Sequence, residues 1–192
     1  MIKRREIITV LGGTGSGKSF LIKNRILPSL TGRLVFIVDR LGEYNFGVVS
    51  ESIGGFAQSL REPNASGVYT LQTSSTEEAA AAMIAAWEAG EVWLILDEVD
   101  GYSGHNSIMP ELSKLITLGR HRAVSIVAAA RRPSEVHPSI RAQSDLLVSF
   151  VQREPRDRAV LMQRSDDFSS VAELGPYCYI AHGNSTLFSL ST

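Results

Sequence analysis

Two short stretches of this sequence hold most of its chemistry. The first is Gly12, Gly13, Thr14, Gly15, Ser16, Gly17, Lys18 and Ser19, followed by Phe20. Glycines permit positive φ and close approach of the main chain to a ligand, so successive N–H groups can converge on phosphate oxygens. A helix that starts at the lysine adds partial positive charge behind them. In that spacing Lys18 reaches the β- and γ-phosphates of a nucleotide and Ser19 holds Mg²⁺. The second stretch is LILDE, which ends at Asp97 and Glu98. Its apolar residues put Asp97 at the end of a buried strand, where a Mg²⁺ ligand belongs, and Glu98 is suited to polarising an attacking water. The expected cofactors are therefore ATP and Mg²⁺. The acidic pair and the separation of about 80 residues favour hydrolysis of ATP over a switch GTPase, whose guanine-reading motif the sequence lacks.

A third group is cationic. Arg120, Arg122, Arg131, Arg132 and Arg141 are opposed between 119 and 141 only by Glu135. Arg131 and Arg132 directly follow the apolar run AVSIVAAA, so they emerge at the sheet edge that carries Gly12 and Asp97, where α/β folds bind ligands. One of them, Arg131 above all, is placed to sense a γ-phosphate. Arg120 and Arg122 precede that run. They lie far from their own nucleotide and within reach of a neighbour's, and an arginine supplied in trans can raise a rate by about 10³ to 10⁵. His105, His121, His137 and His182 show no metal spacing and read as surface or capping residues. Cys178, the only cysteine, sits in YCYIA and reads as a small buried hydrophobe.

The elements that must position these groups alternate. EIITVL, LVFIVD, GVYTLQ, VWLIL, AVSIVAAA and LLVSFV read as strands, several apolar along both faces as buried parallel strands are. A helix is predicted from Lys18 to Leu27, stopped by Pro28. Ser75 and Glu78 have capping-box spacing for a helix that ends at Gly90, and further helices are predicted over 110–118 and 156–163. The stretch 42–66 reads as loop with a short helix near 53–60. YCYIAH and TLFSL, around Gly183 and Asn184, read as a terminal hairpin.

The chain has 192 residues, of which 44% are hydrophobic, enough for one core, and residues 1–192 are expected to form a single domain. Nineteen basic and twenty acidic side chains give a formal charge of −1, so contact with a polyanion must come from a local patch or an assembly. No apolar run is long enough for a membrane helix, and no membrane insertion is expected.

In order along the chain, VLGGTGSGKS, FIVDRLGEYN, VWLILDEVD and GRHRAVSIVAAARRPSEVHPSIRAQSD resemble the FtsK/HerA superfamily of ring-forming DNA-pumping ATPases. FVQREPRD and the short length resemble its smallest members, the genome-packaging ATPases of tailless, membrane-containing icosahedral viruses. The resemblance implies an additional-strand, RecA-like P-loop sandwich of three layers. It also implies packaging of double-stranded DNA into a capsid by a homo-oligomeric ring of five or six subunits, in contact with capsid vertex proteins, in the host cytoplasm or at the packaging vertex. Asp39 and Glu43 match acidic residues after the family's second strand. Arg131 stands where the family commonly has a glutamine sensor, and DGYSGHNS at 100–107 is a candidate pore element. Two other readings stay open. One is a small nucleotide or metabolite kinase with Arg153, Arg156, Arg158 and Arg164 in a lid. The other is a nucleotide-binding assembly protein similar to zonula-occludens-toxin-like phage proteins.

Overall fold

The structure is a computed structural model and describes residues 5–61 and 66–187. All its strands join one sheet: β1 (Ile7–Leu11), β2 (Leu34–Asp39), β3 (Val48–Ser50), β4 (Val68–Gln72), β5 (Val92–Leu96), β6 (Ser125–Ala130), β7 (Leu146–Phe150) and β8 (Tyr179–Gly183). Their order across it is β3-β4-β2-β5-β6-β1-β7-β8. Every pairing is parallel except β7 with β8. The glycine loop follows β1 and the acidic pair follows β5, with β6 inserted between those two strands.

Successive strand residues feed two separate cores, as a period of two requires. Phe36, Val38, Leu94, Leu96, Ile126 and Ala128 face one layer. It is built by α3 (Ile53–Ser59), α4 (Thr76–Ala89), α5 (Pro110–Leu118), α6 (Pro138–Ala142) and α7 (Pro155–Met162). Val35, Ile37, Trp93, Ile95, Val127 and Ala129 face the other, which rests on the helix after the glycine loop through Leu21, Ile22, Ile26, Leu27 and Leu30. Each of these buried aliphatic side chains contributes roughly 2 kcal/mol, enough to outweigh the poor helix propensity of Asn24 and Pro28 beside them.

That helix departs from expectation. It runs α1 (Lys18–Leu21), a π-turn (Ile22–Ile26) and α2 (Leu27–Ser29), so Pro28 does not stop it. The wider π-turn, in which the Leu27 N–H reaches back to the Ile22 carbonyl, accommodates a proline that has no N–H to place. The loop predicted over 42–66 holds the short helix but also edge strand β3. Ser75 caps α4 by accepting from the Glu78 N–H at 3.2 Å. The Glu78 carboxylate does not close the capping box. It accepts from the Ile53 N–H at 3.0 Å and from the Thr73 hydroxyl, tying α4 to α3.

Cys178 is a correction: it is exposed. Tyr177 before it has φ of 60°, and β8 begins only at Tyr179, so the run YCYIA starts in a loop rather than in the core. The first arm of the expected hairpin is β8, paired with β7. Of the second arm, residues 188–190 lie outside the described residues. No helix among the described residues is long and apolar enough to cross a membrane.

Candidate functional site

At the carboxyl ends of β1, β5 and β6 the two motifs meet. The Gly12 N–H donates to the Ala130 carbonyl at 3.1 Å, which sews the start of the loop to β6. A Cβ on Gly12 would lie 2.5 Å from Ser16 Oγ and 2.8 Å from Phe150 Cβ, so only glycine fits there. Gly17 has φ of 109° and turns the chain into α1. The Lys18 ammonium folds over the loop and donates to the Gly12 and Gly13 carbonyls at 2.6 and 3.2 Å. Burial lowers its pKa against the opposing pull of Asp97, Asp100, Glu98 and Glu43.

Asp97 is 3% exposed. Burial, then the neighbouring carboxylates of Asp39, Glu43 and Glu98, push its pKa up to about 6, and Lys18 opposes them. Such a crowd of negative charge suits a cation. Glu98 has φ of 50° and ψ of 54°, a left-handed conformation that is costly for a residue with a Cβ. Its carbonyl accepts from the Gly101 N–H at 2.8 Å, closing a 3₁₀ turn over Val99–Gly101.

Asp39 does a different job from the motif residues. Fully buried, it accepts from the Leu41, Glu43 and Tyr44 N–H groups at 3.3, 3.1 and 2.8 Å and thereby shapes the loop after β2. That loop leans on the helix after the glycine loop: Lys23 Nζ lies 4.9 Å from the Tyr44 ring centroid. Burial raises the Tyr44 pKa, followed by Asp97, with Ser19 opposing them.

The arginines separate by role. Arg131 emerges beside the acidic pair, its Nε 3.0 Å from Asp100 Oδ2 and 3.9 Å from Glu98 Oε1. Arg132 turns the other way and donates to Asp157 Oδ2 at 2.9 Å, while Asp157 Oδ1 accepts from the Ser134 N–H. At the far end of β6 Arg122 donates to the Trp87 and Glu88 carbonyls at 3.0 and 2.6 Å, capping α4. Arg120 is exposed, and its side chain makes no hydrogen bond or ion pair among the described residues. His137 caps α6 by accepting from the Ser139 N–H, and His182 pairs with Asp167 at 2.7 Å.

No family model matches the sequence, and no curated protein matches it. Solved structures do match. The genome packaging NTPase B204 from Sulfolobus turreted icosahedral virus 2, in complex with ATP-gammaS, superposes with a TM-score of 0.77 at 21% identity over 93% of this chain and 92% of its own. B204, the DNA-packaging ATPase from Sulfolobus turreted icosahedral virus, gives 0.77 at 20% identity over 97% and 96%. The pCW3 conjugation coupling protein TcpA gives 0.54 at 13% over 83% of this chain and 52% of its own. The chain has the P-loop NTPase fold.

Beside the P-loop lie two adjoining clefts. One, of about 420 Å³, is lined by Gly13 to Ser16, Arg153 and the loop 174–178. The other, of about 530 Å³, is lined by Phe20, Leu21, Arg25, Phe150, Tyr177 and Tyr179. Phe20 and Tyr177 are 70% and 73% exposed, and flat rings that stack on no other ring among the described residues suit a nucleobase. The fit to a nucleotide with Mg²⁺ rests on three further features. Ser16 Oγ is buried with no partner among the described residues, the Gly12 cradle excludes any Cβ, and Asp97 and Ser19 follow the ends of β5 and the loop. Among the described residues no three His, Cys, Asp or Glu side chains cluster as a dedicated metal site. Mg²⁺ needs none, since it binds through one or two protein oxygens plus phosphates and water.

Asp100, Arg40 and Tyr44 also belong to the site. The Arg40 guanidinium lies where a Cβ on Gly101 would be and 5.3 Å from the Tyr102 ring centroid, so it packs against the acidic turn. Nothing in the spacing signals that contact. Of the four arginines of the kinase reading, Arg153 borders the loop cleft, whereas Arg164 donates to the Ala142 and Ser144 carbonyls at the other end of β7.

Proposed function

We propose that the protein is an ATPase that drives double-stranded DNA into a viral capsid as a homo-oligomeric ring. The observation that carries the reading is the convergence of Lys18, Asp97 and Glu98 at one sheet edge, in a fold shared over nearly its whole length with packaging NTPases. In this reading the nucleobase rests between Phe20 and Tyr177, and the loop N–H groups and Lys18 hold the β- and γ-phosphates. Ser19 and Asp97 would hold Mg²⁺, which would supply positive charge against the phosphate oxygens. Glu98 accepts a proton from the attacking water as its oxygen bonds to the γ-phosphorus and the bond to the bridging oxygen breaks.

Arg120 is the better candidate for action in trans, because Arg122 is already spent on α4. The tip of the 100–107 segment is a tight turn in which the Gly104 N–H donates to the Ser107 carbonyl at 2.7 Å. His105 at that tip shares a cleft with Arg141 and Arg164, and among the described residues no carboxylate lines it, which suits a phosphodiester backbone. A ring in the host cytoplasm at the packaging vertex, of five or six subunits and in contact with vertex proteins, is the setting this reading requires.

The test is the ATPase rate with Mg²⁺, with and without double-stranded DNA, over a range of protein concentration. A ring motor gives a rate that rises with DNA and steeply with concentration, and Glu98→Gln lowers it by roughly 10² to 10⁴-fold while nucleotide still binds. Negligible turnover with DNA present overturns the motor in favour of an assembly protein. Transfer of phosphate to a small acceptor overturns it in favour of a kinase.

A further inference from the structure

Arg131 stands between two carboxylates and is closer to Asp100 than to Glu98. Its Nε lies 3.0 Å from Asp100 Oδ2 and 3.9 Å from Glu98 Oε1. The Arg131 side chain is 51% exposed, whereas the Asp100 side chain is 4% exposed. The turn that carries Asp100 is also held in place. The Gly101 N–H closes the turn onto the Glu98 carbonyl, and Arg40 covers Gly101 and the Tyr102 ring. Asp100 Oδ1 is buried with no hydrogen-bond partner among the described residues, so the carboxylate has acceptor capacity to spare for an arginine. If released from Asp100, the guanidinium has about 1 Å to close before it grips Glu98 in a two-pronged pair, the geometry that arginine and carboxylate favour. Such a pair occupies the lone pairs that an attacking water needs.

We propose that Asp100 is a positioning residue that draws Arg131 off Glu98 and so keeps the Glu98 carboxylate open to water. This rests on Glu98 as the water-activating group. It explains why the Asp100 carboxylate lies buried two residues after the acidic pair. Asp100 acts only through Arg131. A carboxylate that merely stabilised the turn would act on folding, whatever stood at 131.

The experiment has a kinetic and a spectroscopic arm, both on the full chain. Asp100→Asn is expected to lower kcat by roughly ten- to a hundredfold with KM for ATP within about twofold, and the same change made in Arg131→Gln is expected to add nothing. In ¹⁵N spectra without nucleotide, the Arg131 Nε–H is expected to be protected from exchange in the wild type and in Asp100→Asn, where it has moved to Glu98. Protection is expected to vanish in Asp100→Asn combined with Glu98→Gln. Wild-type kcat in Asp100→Asn, an equal loss in both backgrounds, or loss of protection in Asp100→Asn alone overturns the proposal. A wild type without ATPase activity overturns the proposed function instead, and the spectra still decide the position of Arg131. Melting curves of each variant separate a folding defect from either result.

Discussion

Strand β6 carries arginines at both ends, and the two ends use them differently. At its start Arg122 donates to main-chain carbonyls that α4 leaves unpaired, a contact between a charge and dipoles that holds two elements together. At its finish Arg131 and Arg132 each meet a carboxylate, one beside the P-loop and one under α7. An arginine that completes a helix has one stable position. An arginine set among competing carboxylates has more than one, which chemistry can exploit. Even within the pair the contrast holds: Asp157, the partner of Arg132, is fully buried and also accepts from a backbone N–H, so that arginine belongs to the scaffold.

The sharpest way to break this contrast is to remove the scaffold acid. Asp157→Ala strips Arg132 of its partner and leaves the Ser134 N–H without an acceptor, and should cost about 3 kcal/mol in denaturant unfolding. Arg131→Ala should leave the unfolding midpoint almost where it was, and an equal loss in both would erase the distinction.

Next in size is the charge crowd itself. Asp97 titrates near 6 in the fold against 3.8 for an ordinary aspartate, so the folded chain holds that proton more tightly than the unfolded one. The favourable contribution is complete below pH 4 and is lost as pH climbs through 6. In Mg²⁺-free buffer Asp97→Asn should therefore be more stable than wild type by roughly 3 kcal/mol at pH 8, with the gain gone by pH 4. A gain that does not change with pH would show that packing, not charge, sets it. The smallest effect is expected at the other end of β6. Arg122→Ala should cost about 1 kcal/mol with kcat unchanged, and a kcat loss that depends on protein concentration would move Arg122 into a shared active site.

Strand β5 and helix α5 were legible in the sequence to the residue, because a five-residue apolar run and a proline at a helix start leave little choice. The P-loop and the acidic pair were legible for the same reason: local spacing makes them. Edge strand β3 was not, since three half-exposed residues give no periodicity to read. Helix α6, five residues capped by a histidine, was equally silent. Within the site, Asp100 passed for part of a loop and Arg40 for a flanking charge. Their importance comes from strands β2, β5 and β6 lying side by side, a fact of topology that no window of sequence contains.

Glu98 is the one residue of the acidic pair whose backbone is left-handed, and a side chain in that region costs about 1 kcal/mol or more relative to glycine. Stability alone would therefore choose another residue at position 98. Under the proposed function, selection for a more robust fold and selection for turnover pull this site in opposite directions, and variants chosen only for heat resistance should drift away from glutamate there. Where function is also demanded, thermal robustness has to be gained elsewhere, as in the packing of α4 against α5 or the capping of α4 by Arg122.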